Sequence, residues 1–422
     1  MGNRSRNRDV VRAKNDKKFP PTSVPDFLAD IENIGDQTSE SYQTELSKQG
    51  YYVIPPHSAV KLCSWSKRSL RNDPVPVLDG DTTSLCYKHD FYGIDTAFCI
   101  QSTVSLSCAN RCIFCWRHQQ APLAEDWKWK AAPPVELCEA LVLGQQKLVK
   151  EHRGVPNVDL DLVEKALTPK HVALSLVGEP ILYPHFDELL EQFHRRRIST
   201  FVVCNGQNPS RLGKISLATQ VYVSVDAPNP ELLKQIDRPM SKDYWQRLLD
   251  SLTVLSTLKA RTCIRLTAIK GVNTLPEHID GFMQLIRRGS PLFIEVKGYT
   301  HVGGASTTGR NILSMSSMPF PEDTLEFARL VEEASNGDYS IISTHLPSRA
   351  VCLAHKSLFI DGEWKTWIDF DRFFEISSDP TFISSASHFG IEFSTTTPPS
   401  MLWDRDDAEF KMVRRDTDLF VD

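Results

Sequence analysis

Short runs of β-branched residues alternate with amphipathic segments through the second half of the chain. The runs at 172–177, 200–204, 221–225, 262–269, 292–296 and 339–343 predict strands. The segments at 184–197, 241–259, 276–288 and 321–334 have apolar residues near helical spacing and predict helices. With one more strand expected just before Cys108, the pattern indicates six or seven strand–helix units around a parallel sheet. Because a closed barrel has eight such units, we expect an α/β fold that is an incomplete TIM barrel.

The same pattern divides the chain into four parts. Residues 1–40 are polar, charged and aperiodic, which predicts a disordered tail. Residues 41–107 are rich in turns and contain three widely spaced cysteines, which indicates a segment held together by something other than helices. The barrel is expected over 108–375. The Ser-, Thr- and Pro-rich stretch that follows predicts a surface extension over 376–422.

The composition is typical of a folded globular protein and favours a reducing cellular compartment. It has 422 residues, 41% of them hydrophobic and 24% charged. No apolar run approaches the roughly 18 residues of a membrane span, so we expect none. The basic N-terminus lacks the apolar region of a secretory signal, and ten cysteines without such a signal are typical of a reducing compartment. The cytoplasm is favoured, with a mitochondrial presequence as the alternative.

Three cysteines form a compact motif after the expected strand. Cys108, Cys112 and Cys115 have CxxxCxxC spacing. Three soft ligands this close together can hold three corners of a four-iron four-sulfur cluster and leave the fourth iron open to a small molecule. A radical S-adenosylmethionine enzyme requires such an open iron. The alternative is a zinc knuckle completed by His118, which Phe114 and the strand–helix series that follows do not favour.

Polar residues follow three of the predicted strands at their carboxyl ends, where parallel sheets bind ligands. They are Gly178, Glu179, Pro180, Asn205, Ser224 and Asp226. The Glu179 carboxylate can accept a hydrogen bond from an ammonium, and Gly178 lets the backbone approach closely. We expect this set to bind S-adenosylmethionine, with polar capping of strand ends as the alternative.

Longer motifs are specific enough to indicate a family. They are HSAVKLC at 57–63, CYKHDFYGI at 86–94, CWR at 115–117, GEPILYP at 178–184, VSVDAP at 223–228, RLT at 265–267, KGVN at 270–273, FIEVKG at 293–298 and WKTWID at 364–369. Over residues 41–374 the chain resembles the tRNA 4-demethylwyosine synthases. These are radical S-adenosylmethionine enzymes that build the tricyclic base of wybutosine.

The resemblance implies a second four-iron four-sulfur cluster, on Cys63, Cys86 and Cys99. The spacing of these cysteines alone is no compact metal motif and fits buried thiols equally well. The resemblance also implies that Lys88 is the catalytic lysine. In this family, N1-methylguanosine at position 37 of phenylalanine tRNA is joined to two carbons of pyruvate, and the carboxyl carbon is lost. Lys88 would form a Schiff base with the keto carbon or donate a proton, whereas by residue type alone it is a surface lysine.

The resemblance has two departures. Around residues 344–352 the family tends to be richer in His and acidic residues than this sequence, so we assign no role to His345. Eukaryotic members carry an N-terminal flavodoxin-like domain, and the stretch before Cys63 has no room for one. We therefore expect the standalone form, a monomer that takes its electron from a separate flavodoxin or reductase.

A tRNA partner should leave a positively charged surface, yet the net charge is −5. The candidate contacts are Lys61 and Arg68 near the second set of cysteines, and Trp116 and Arg117 beside the first, where an unstacked base could stack. Solvated surface is the alternative for the basic residues. Two other functions stay open. One is another radical enzyme with an auxiliary cluster that acts on a small molecule or peptide, and the other is a zinc-stabilised RNA-binding module.

Overall fold

The fold begins earlier along the chain than predicted. The computed structural model describes residues 36–76, 82–117, 121–301, 313–386 and 388–403. A compact unit starts at Asp36, and Gln37 and Thr38 are buried. The predicted tail at 1–40 is therefore wrong in its last residues, and the rest of it lies outside the described residues.

The strands, in chain order, are β1 (Tyr51–Ile54), β2 (Ser58–Lys61), β3 (Val75–Pro76), β4 (Thr82–Thr83), β5 (Cys99–Thr103), β6 (His171–Leu174), β7 (Ser199–Cys204), β8 (Gln220–Ser224), β9 (Arg261–Ala268), β10 (Phe293–Gly298), β11 (Tyr339–His345), β12 (Ala350–His355), β13 (Phe359–Ile360), β14 (Glu363–Trp364), β15 (Trp367–Ile368) and β16 (Ser394–Thr395). The helices are α1 (Glu40–Lys48), α2 (Ser64–Arg71), α3 (Tyr87–Tyr92), α4 (Pro134–His152), α5 (Leu160–Ala166), α6 (Phe186–Arg195), α7 (Pro209–Leu212), α8 (Pro230–Ile236), α9 (Tyr244–Leu255), α10 (Ile279–Gly289), α11 (Pro321–Ala334), α12 (Phe370–Ile376) and α13 (Pro380–Ser385). None of these described helices combines the length and the hydrophobicity needed to cross a bilayer.

One large sheet organises the molecule. Within the described residues it has ten strands in the order β1-β2-β5-β6-β7-β8-β9-β10-β12-β11. Strands β5 to β10 are parallel to one another, and helices connect them. The antiparallel pair β1–β2 lies at one edge and the antiparallel pair β12–β11 at the other. The sheet ends at β1 and β11, so the prediction of an incomplete barrel is confirmed.

The hydrophobic pattern located most of the sheet. All six strands predicted between residues 172 and 343 correspond to β6 through β11, and the four predicted helices correspond to α6, α9, α10 and α11. The strand expected before the cysteine motif is β5, which ends five residues before Cys108. The hairpin of β1 and β2, the long helix α4 and strand β12 were missed.

The two faces of the sheet bury different partners. The outer face, with Val172, Val202 and Ile264, packs against the connecting helices. The inner face, with Phe201 and Phe293, packs against α3 and the C-terminal segment. Helix α3 therefore carries its residues onto the inner face of the sheet, where the closed interior of a full barrel would lie.

The C-terminal segment is part of the core, which corrects the predicted surface extension. Phe389 and Phe393 are buried against the inner face. Arg261, at the start of β9, is fully buried and donates hydrogen bonds to the carbonyl oxygens of Thr366 and Trp367 (3.4 Å) and to the Ser394 hydroxyl. These contacts hold the segment across the amino end of the sheet. Residues 404–422 lie outside the described residues.

Candidate active site

The CxxxCxxC loop follows β5 at the carboxyl end of the sheet. The backbone N–H of Cys108 donates to the Pro122 carbonyl, and its carbonyl accepts from Ala124, each at 3.3 Å. The N–H groups of Arg111 and Ile113 donate to the carbonyls of Asp237 (2.9 Å) and Ile236 (2.8 Å) at the end of α8. The loop is therefore tied on both sides by backbone hydrogen bonds to distant parts of the chain.

Gln37 fixes the approach to this loop from the N-terminal side. Its side-chain Oε1 accepts from the N–H groups of Leu106 at 2.7 Å and Ser107 at 3.2 Å, and Gln37 itself is buried. Thus a residue of the predicted tail holds the backbone that leads directly into Cys108.

The three thiols of the loop are half-buried and free. The Cys108 Sγ accepts from the Asn110 N–H and from Asn205 Nδ2, both at 3.4 Å. Burial raises the pKa of Cys108 to about 11 and raises the pKa values of Cys112 and Cys115 as well. Protonated thiols in this setting become thiolates when a metal displaces their protons, and the N–H groups aimed at Cys108 Sγ suit a cluster-bound sulfur.

Gly178 occupies a position that only glycine fits. Its φ is +74°, and a Cβ built there would lie 1.9 Å from the Ser105 carbonyl oxygen. The next residue, Glu179, donates its N–H to the Ser107 carbonyl at 2.8 Å. The end of β6 and the start of the cysteine loop are therefore packed backbone against backbone.

Glu179 brings an incompletely bonded carboxyl group to the rim. Its side chain is 2% exposed. Oε2 accepts from the Asn205 N–H at 2.8 Å, whereas Oε1 has no partner among the described residues. Burial raises the pKa of Glu179 to about 8. A buried acceptor without a partner is costly, so Oε1 fits a donor supplied by a ligand such as an ammonium.

The remaining rim residues lie nearby. Ser224 ends β8, and Asp226 follows it with its Oδ1 buried and without a described partner. Asp226 interacts with Asp237, whose Oδ2 accepts from Asn110 Nδ2 at 3.3 Å. Burial and the like charge of its neighbour raise the pKa of Asp237. Glu179, Asn205 and Asp226 thus face the loop from three consecutive strand ends. Pro180 begins a short 3-10 turn and is buried.

Cys63, Cys86 and Cys99 span 37 residues of sequence, yet they lie close enough in the fold for the charge of one thiol to act on another. Cys63 is the N-cap of α2, and its Sγ accepts from the Ser66 N–H at 3.2 Å. Cys86 is the N-cap of α3, and Cys99 begins β5. The charge of Cys63 acts on both other thiols. Burial raises the pKa of Cys86 to about 12 and that of Cys99 to about 11.

Lys88 lies against this second group of thiols. Its charge acts on Cys86 and on Cys99, and its Nζ lies 5.9 Å from the centre of the Phe201 ring on the inner face. Its ammonium has no hydrogen-bond or ionic partner among the described residues. The lysine is half-buried, so the surface-lysine alternative does not describe it.

The four residues predicted to contact tRNA differ in their exposure and in the contacts that they already make within the protein. Trp116 is 50% exposed beside the loop. Arg117 Nη2 donates to the Asn110 carbonyl at 3.0 Å, and Arg68 pairs with Asp73 at 3.4 Å. The Lys61 ammonium lies 4.8 Å from the centre of the Tyr51 ring, and burial lowers its pKa. Trp116 is the least engaged of the four.

The ten cysteines fall into two classes. The six in the two groups are half-buried, whereas Cys138, Cys204, Cys263 and Cys352 are buried. Within the described residues no three His, Cys, Asp or Glu side chains are arranged to hold a single metal ion. His118, the fourth ligand of the zinc alternative, lies outside the described residues. Three half-buried thiols are the donor set of a cluster with one open iron, so the residues of each group fit it.

Comparison with known proteins identifies two family domains. The radical SAM superfamily matches residues 102–286, which contain the loop and all the predicted S-adenosylmethionine ligands. A domain described as wyosine base formation matches residues 288–355. Both matches lie on the ten-stranded sheet.

Relatives and solved structures agree with this assignment. A protein of Oryza sativa subsp. japonica named S-adenosyl-L-methionine-dependent tRNA 4-demethylwyosine synthase is 40% identical over 391 residues, which are 90% of this chain and 57% of the relative. The Homo sapiens protein of that name, TYW1, is 42% identical over 78% of this chain and 43% of its own length. An archaeal TYW1 structure is 32% identical with a TM-score of 0.59, over 77% of this chain and 99% of that one. A TYW1 structure described as having a lysine–pyruvate adduct bound is 36% identical with a TM-score of 0.65, over 76% of this chain and 97% of that one.

The chain belongs to the TYW1 family of tRNA 4-demethylwyosine synthases. It spans about half the length of the curated relatives that it matches. Membership in the radical SAM superfamily implies S-adenosylmethionine and one four-iron four-sulfur cluster as cofactors.

Three residues of this TYW1-family site were missed from the sequence. Gln37 and Asp237 hold the cysteine loop, and their contacts with it join residues 69 and 127 positions apart. His345, to which we assigned no role, is buried against Trp65 and donates from Nε2 to the Leu85 carbonyl at 3.2 Å, just before Cys86. No local motif marks any of the three.

Proposed function

We propose that the protein is a tRNA 4-demethylwyosine synthase. It condenses N1-methylguanosine at position 37 of phenylalanine tRNA with pyruvate. The observation that carries the proposal is the position of Lys88 on the inner face of the sheet, close to Cys86 and Cys99. The CxxxCxxC loop lies at the carboxyl end of the same sheet, after β5. The names of the relatives support the tRNA product, and the adduct described for a TYW1 structure supports a lysine that reacts with pyruvate.

In this proposal Cys108, Cys112 and Cys115 hold the radical cluster. The cluster would supply the electron that cleaves S-adenosylmethionine. Glu179 would receive the ammonium of the methionine part at Oε1, which has no described partner. Gly178, Pro180, Asn205, Ser224 and Asp226 would complete the binding site, with Gly178 allowing the close approach of the two backbones.

Cys63, Cys86 and Cys99 would hold a second cluster, and pyruvate would bind beside it. Lys88 is within reach of that position because its charge acts on two of the three thiols. Its amine would form a Schiff base with the keto carbon, with loss of water. The choice of a Schiff base over proton donation follows the lysine–pyruvate adduct of the related structure.

The target base would enter from the side of the exposed Trp116. An aromatic ring that is half exposed beside the loop can stack on a base that has left its own stack. Arg117, Lys61 and Arg68 would contact the phosphates around it. We further propose a monomer that acts in the cytoplasm and receives its electron from a separate flavodoxin or reductase. We keep the predicted division of the chain into four parts within this proposal, with the first boundary moved to residue 36.

The first test is the iron and sulfide content of protein reconstituted without oxygen. We expect about eight irons in the wild type and about four when Cys63, Cys86 and Cys99 are all changed to alanine. About four irons in both would remove the second cluster from the proposal. Zinc without iron would remove the catalytic function.

The second test is product formation from tRNA that carries N1-methylguanosine. Wild-type protein with pyruvate and a reductant should form the tricyclic base, and Lys88→Ala should cleave S-adenosylmethionine without forming it. Normal product yield from Lys88→Ala would eliminate the proposed role of the lysine.

A further inference from the structure

A second lysine reaches the inner face next to Lys88. In β10, Phe293, Glu295 and Lys297 occupy every second position, so their side chains share the inner face of the sheet. Its Nζ lies 4.4 Å from the centre of the ring of Tyr87, the residue before Lys88. The charges of Lys88 and Lys297 both act on the thiol of Cys86. The two ammonium groups therefore share one neighbour in the second group of cysteines.

The carboxylate next to Lys297 is bonded to other residues. The adjacent carboxylate, Glu295, is fully buried and already engaged. Its Oε1 accepts from the Tyr92 hydroxyl at 2.8 Å, and its Oε2 accepts from Arg265 Nη2 at 2.8 Å and Nε at 3.1 Å. The Lys297 ammonium makes no hydrogen bond or ion pair with the described residues. A partly buried ammonium without an ion-pair partner can be stabilised by an anionic group of a bound ligand.

Two other cations act on Lys297, and both have partners. Arg349 donates from Nη2 to the Thr300 hydroxyl at 2.9 Å. Arg265 forms its ion pair with Glu295 and also donates to the Tyr87 hydroxyl at 3.0 Å. It therefore fixes the Tyr87 ring, over which the Lys297 ammonium lies. Burial lowers the pKa of Lys297 to about 8.

We propose that Lys297 is a positioning residue that binds the carboxylate of the 2-oxo acid whose keto carbon reacts with Lys88. The inference rests on the proposed function, since it needs Lys88 to form the Schiff base. It adds a basis for substrate choice, because a neutral ketone or aldehyde would lack the group that Lys297 binds. The carboxylate is also the part of pyruvate that the reaction removes, so its position decides which bond breaks.

The test traps the lysine adduct without running the full reaction. Reconstituted protein is incubated with pyruvate and cyanoborohydride. The amine and the ketone form an imine and water, and hydride with a proton then reduces the C=N bond to a stable secondary amine. Mass spectrometry of the Lys88 peptide gives the half-saturating pyruvate concentration. The same titration with methyl pyruvate, which has no free carboxylate, is the internal control.

We expect Lys297→Met to raise the half-saturating pyruvate concentration about tenfold or more and to leave that of methyl pyruvate unchanged. Lys297→Arg should restore pyruvate binding to within about threefold of the wild type. Lys356→Met, which removes an exposed lysine paired with Asp338, is the matched control and should change neither titration.

Two results would overturn the role of Lys297 alone. One is an unchanged pyruvate titration in Lys297→Met, and the other is an equal shift for both compounds, which a general distortion of the site would produce. If the wild type trapped no adduct on Lys88, the proposed Schiff base would be lost, and the role of Lys297 with it.

Discussion

The two groups of cysteines are assembled in different ways. Cys108, Cys112 and Cys115 belong to one loop, whose shape is fixed by backbone hydrogen bonds to α8 and to residues 122–124. Cys63, Cys86 and Cys99 come from two helix N-caps and the start of a strand. The first group is local in sequence and the second exists only once α2, α3 and β5 have packed together.

This difference separates what local sequence encodes from what packing must supply. The spacing of the three cysteines in the compact loop is set by the local sequence. The loop needs only hydrogen bonds from other parts of the chain to fix its shape. The dispersed group needs correct packing of three elements before its thiols meet. Loop closure over longer separations costs more conformational entropy, so the dispersed group depends more strongly on the rest of the fold.

The largest expected effect comes from removing one cysteine from each group. Cys112→Ala should lose about four irons and all S-adenosylmethionine cleavage, since the open iron is lost. Cys86→Ala should also lose about four irons but should still release 5'-deoxyadenosine, while forming no tricycle. Iron analysis with chromatography of the nucleoside products measures both. Loss of cleavage in Cys86→Ala would show that the two groups are not separable.

The next effect concerns the crowded support of the compact loop. Gly178→Ala places a Cβ 1.9 Å from the Ser105 carbonyl, whereas Gly271, with a similar φ of +71°, has nothing within 4 Å of that position. We expect Gly271→Ala to lower the free energy of unfolding by about 1 kcal/mol and Gly178→Ala by about 3 kcal/mol more. Urea denaturation measures the difference. Equal values for the two variants would contradict the packing described for the loop.

A smaller effect is expected from the side chains that brace each group. Gln37→Ala leaves the N–H groups of Leu106 and Ser107 without their acceptor and should cost about 2 kcal/mol. Hydrogen exchange should rise at these two amides and stay unchanged at Ser348. His345→Ala should show the reverse pattern, because the Ser348 N–H donates to His345 Nδ1 at 3.2 Å. If hydrogen exchange rose uniformly along the chain in both variants, Gln37 and His345 would stabilise the whole fold rather than one group of cysteines each.

The smallest effect is the pH dependence carried by one buried histidine at each group. Burial lowers the pKa of His57 and that of His345 to about 4. His57 Nε2 accepts from the Ala132 N–H at 3.0 Å, which requires the neutral ring. Because the folded-state pKa lies below the ordinary value of 6.5, the unfolded chain takes up the proton first as the pH falls. Stability is therefore complete above about pH 6.5 and is lost as the pH falls towards 4.

Between pH 7 and 5.5 each of these histidines should account for about 1 kcal/mol of lost stability. His57→Gln and His345→Gln should each remove that share of the pH dependence, measured by urea denaturation at both pH values. An unchanged slope in either variant would mean that the histidine takes up no proton on unfolding in this range.

The sequence predicted the regular part of the fold and the ligand spacing, but not the contacts that join distant residues. Strands β6 to β11 were found because their apolar runs are bounded by helices with clear periodicity. Helix α4 was missed because the stripe that it buries includes Gly144 and Gln145, which weakens the apolar pattern. Phe389 and Phe393 were placed outside the core because they stand alone in a polar stretch.

The candidate site shows the same difference between features set by local sequence and features that depend on long-range contacts. The compact loop and the rim residues could be read from spacing and strand ends, whereas the dispersed cysteines depended on a family resemblance. Gln37 and Asp237 could not be predicted, since their partners lie 69 and 127 residues away. Lys297 stands within a recognisable motif, but only its unpaired charge in the folded chain distinguishes it.

The buried guanidinium of Arg261 has a consequence for synthesis of the chain. Its acceptors in the C-terminal segment lie at Thr366, Trp367 and Ser394, more than 100 residues later. A nascent chain that has completed β9 therefore holds a charged group that lacks these acceptors until residues 366–394 have left the ribosome. The central sheet should consequently become stable only after those residues have emerged, and a chain that terminates before them should be recognised as unfolded rather than persist as a partial enzyme.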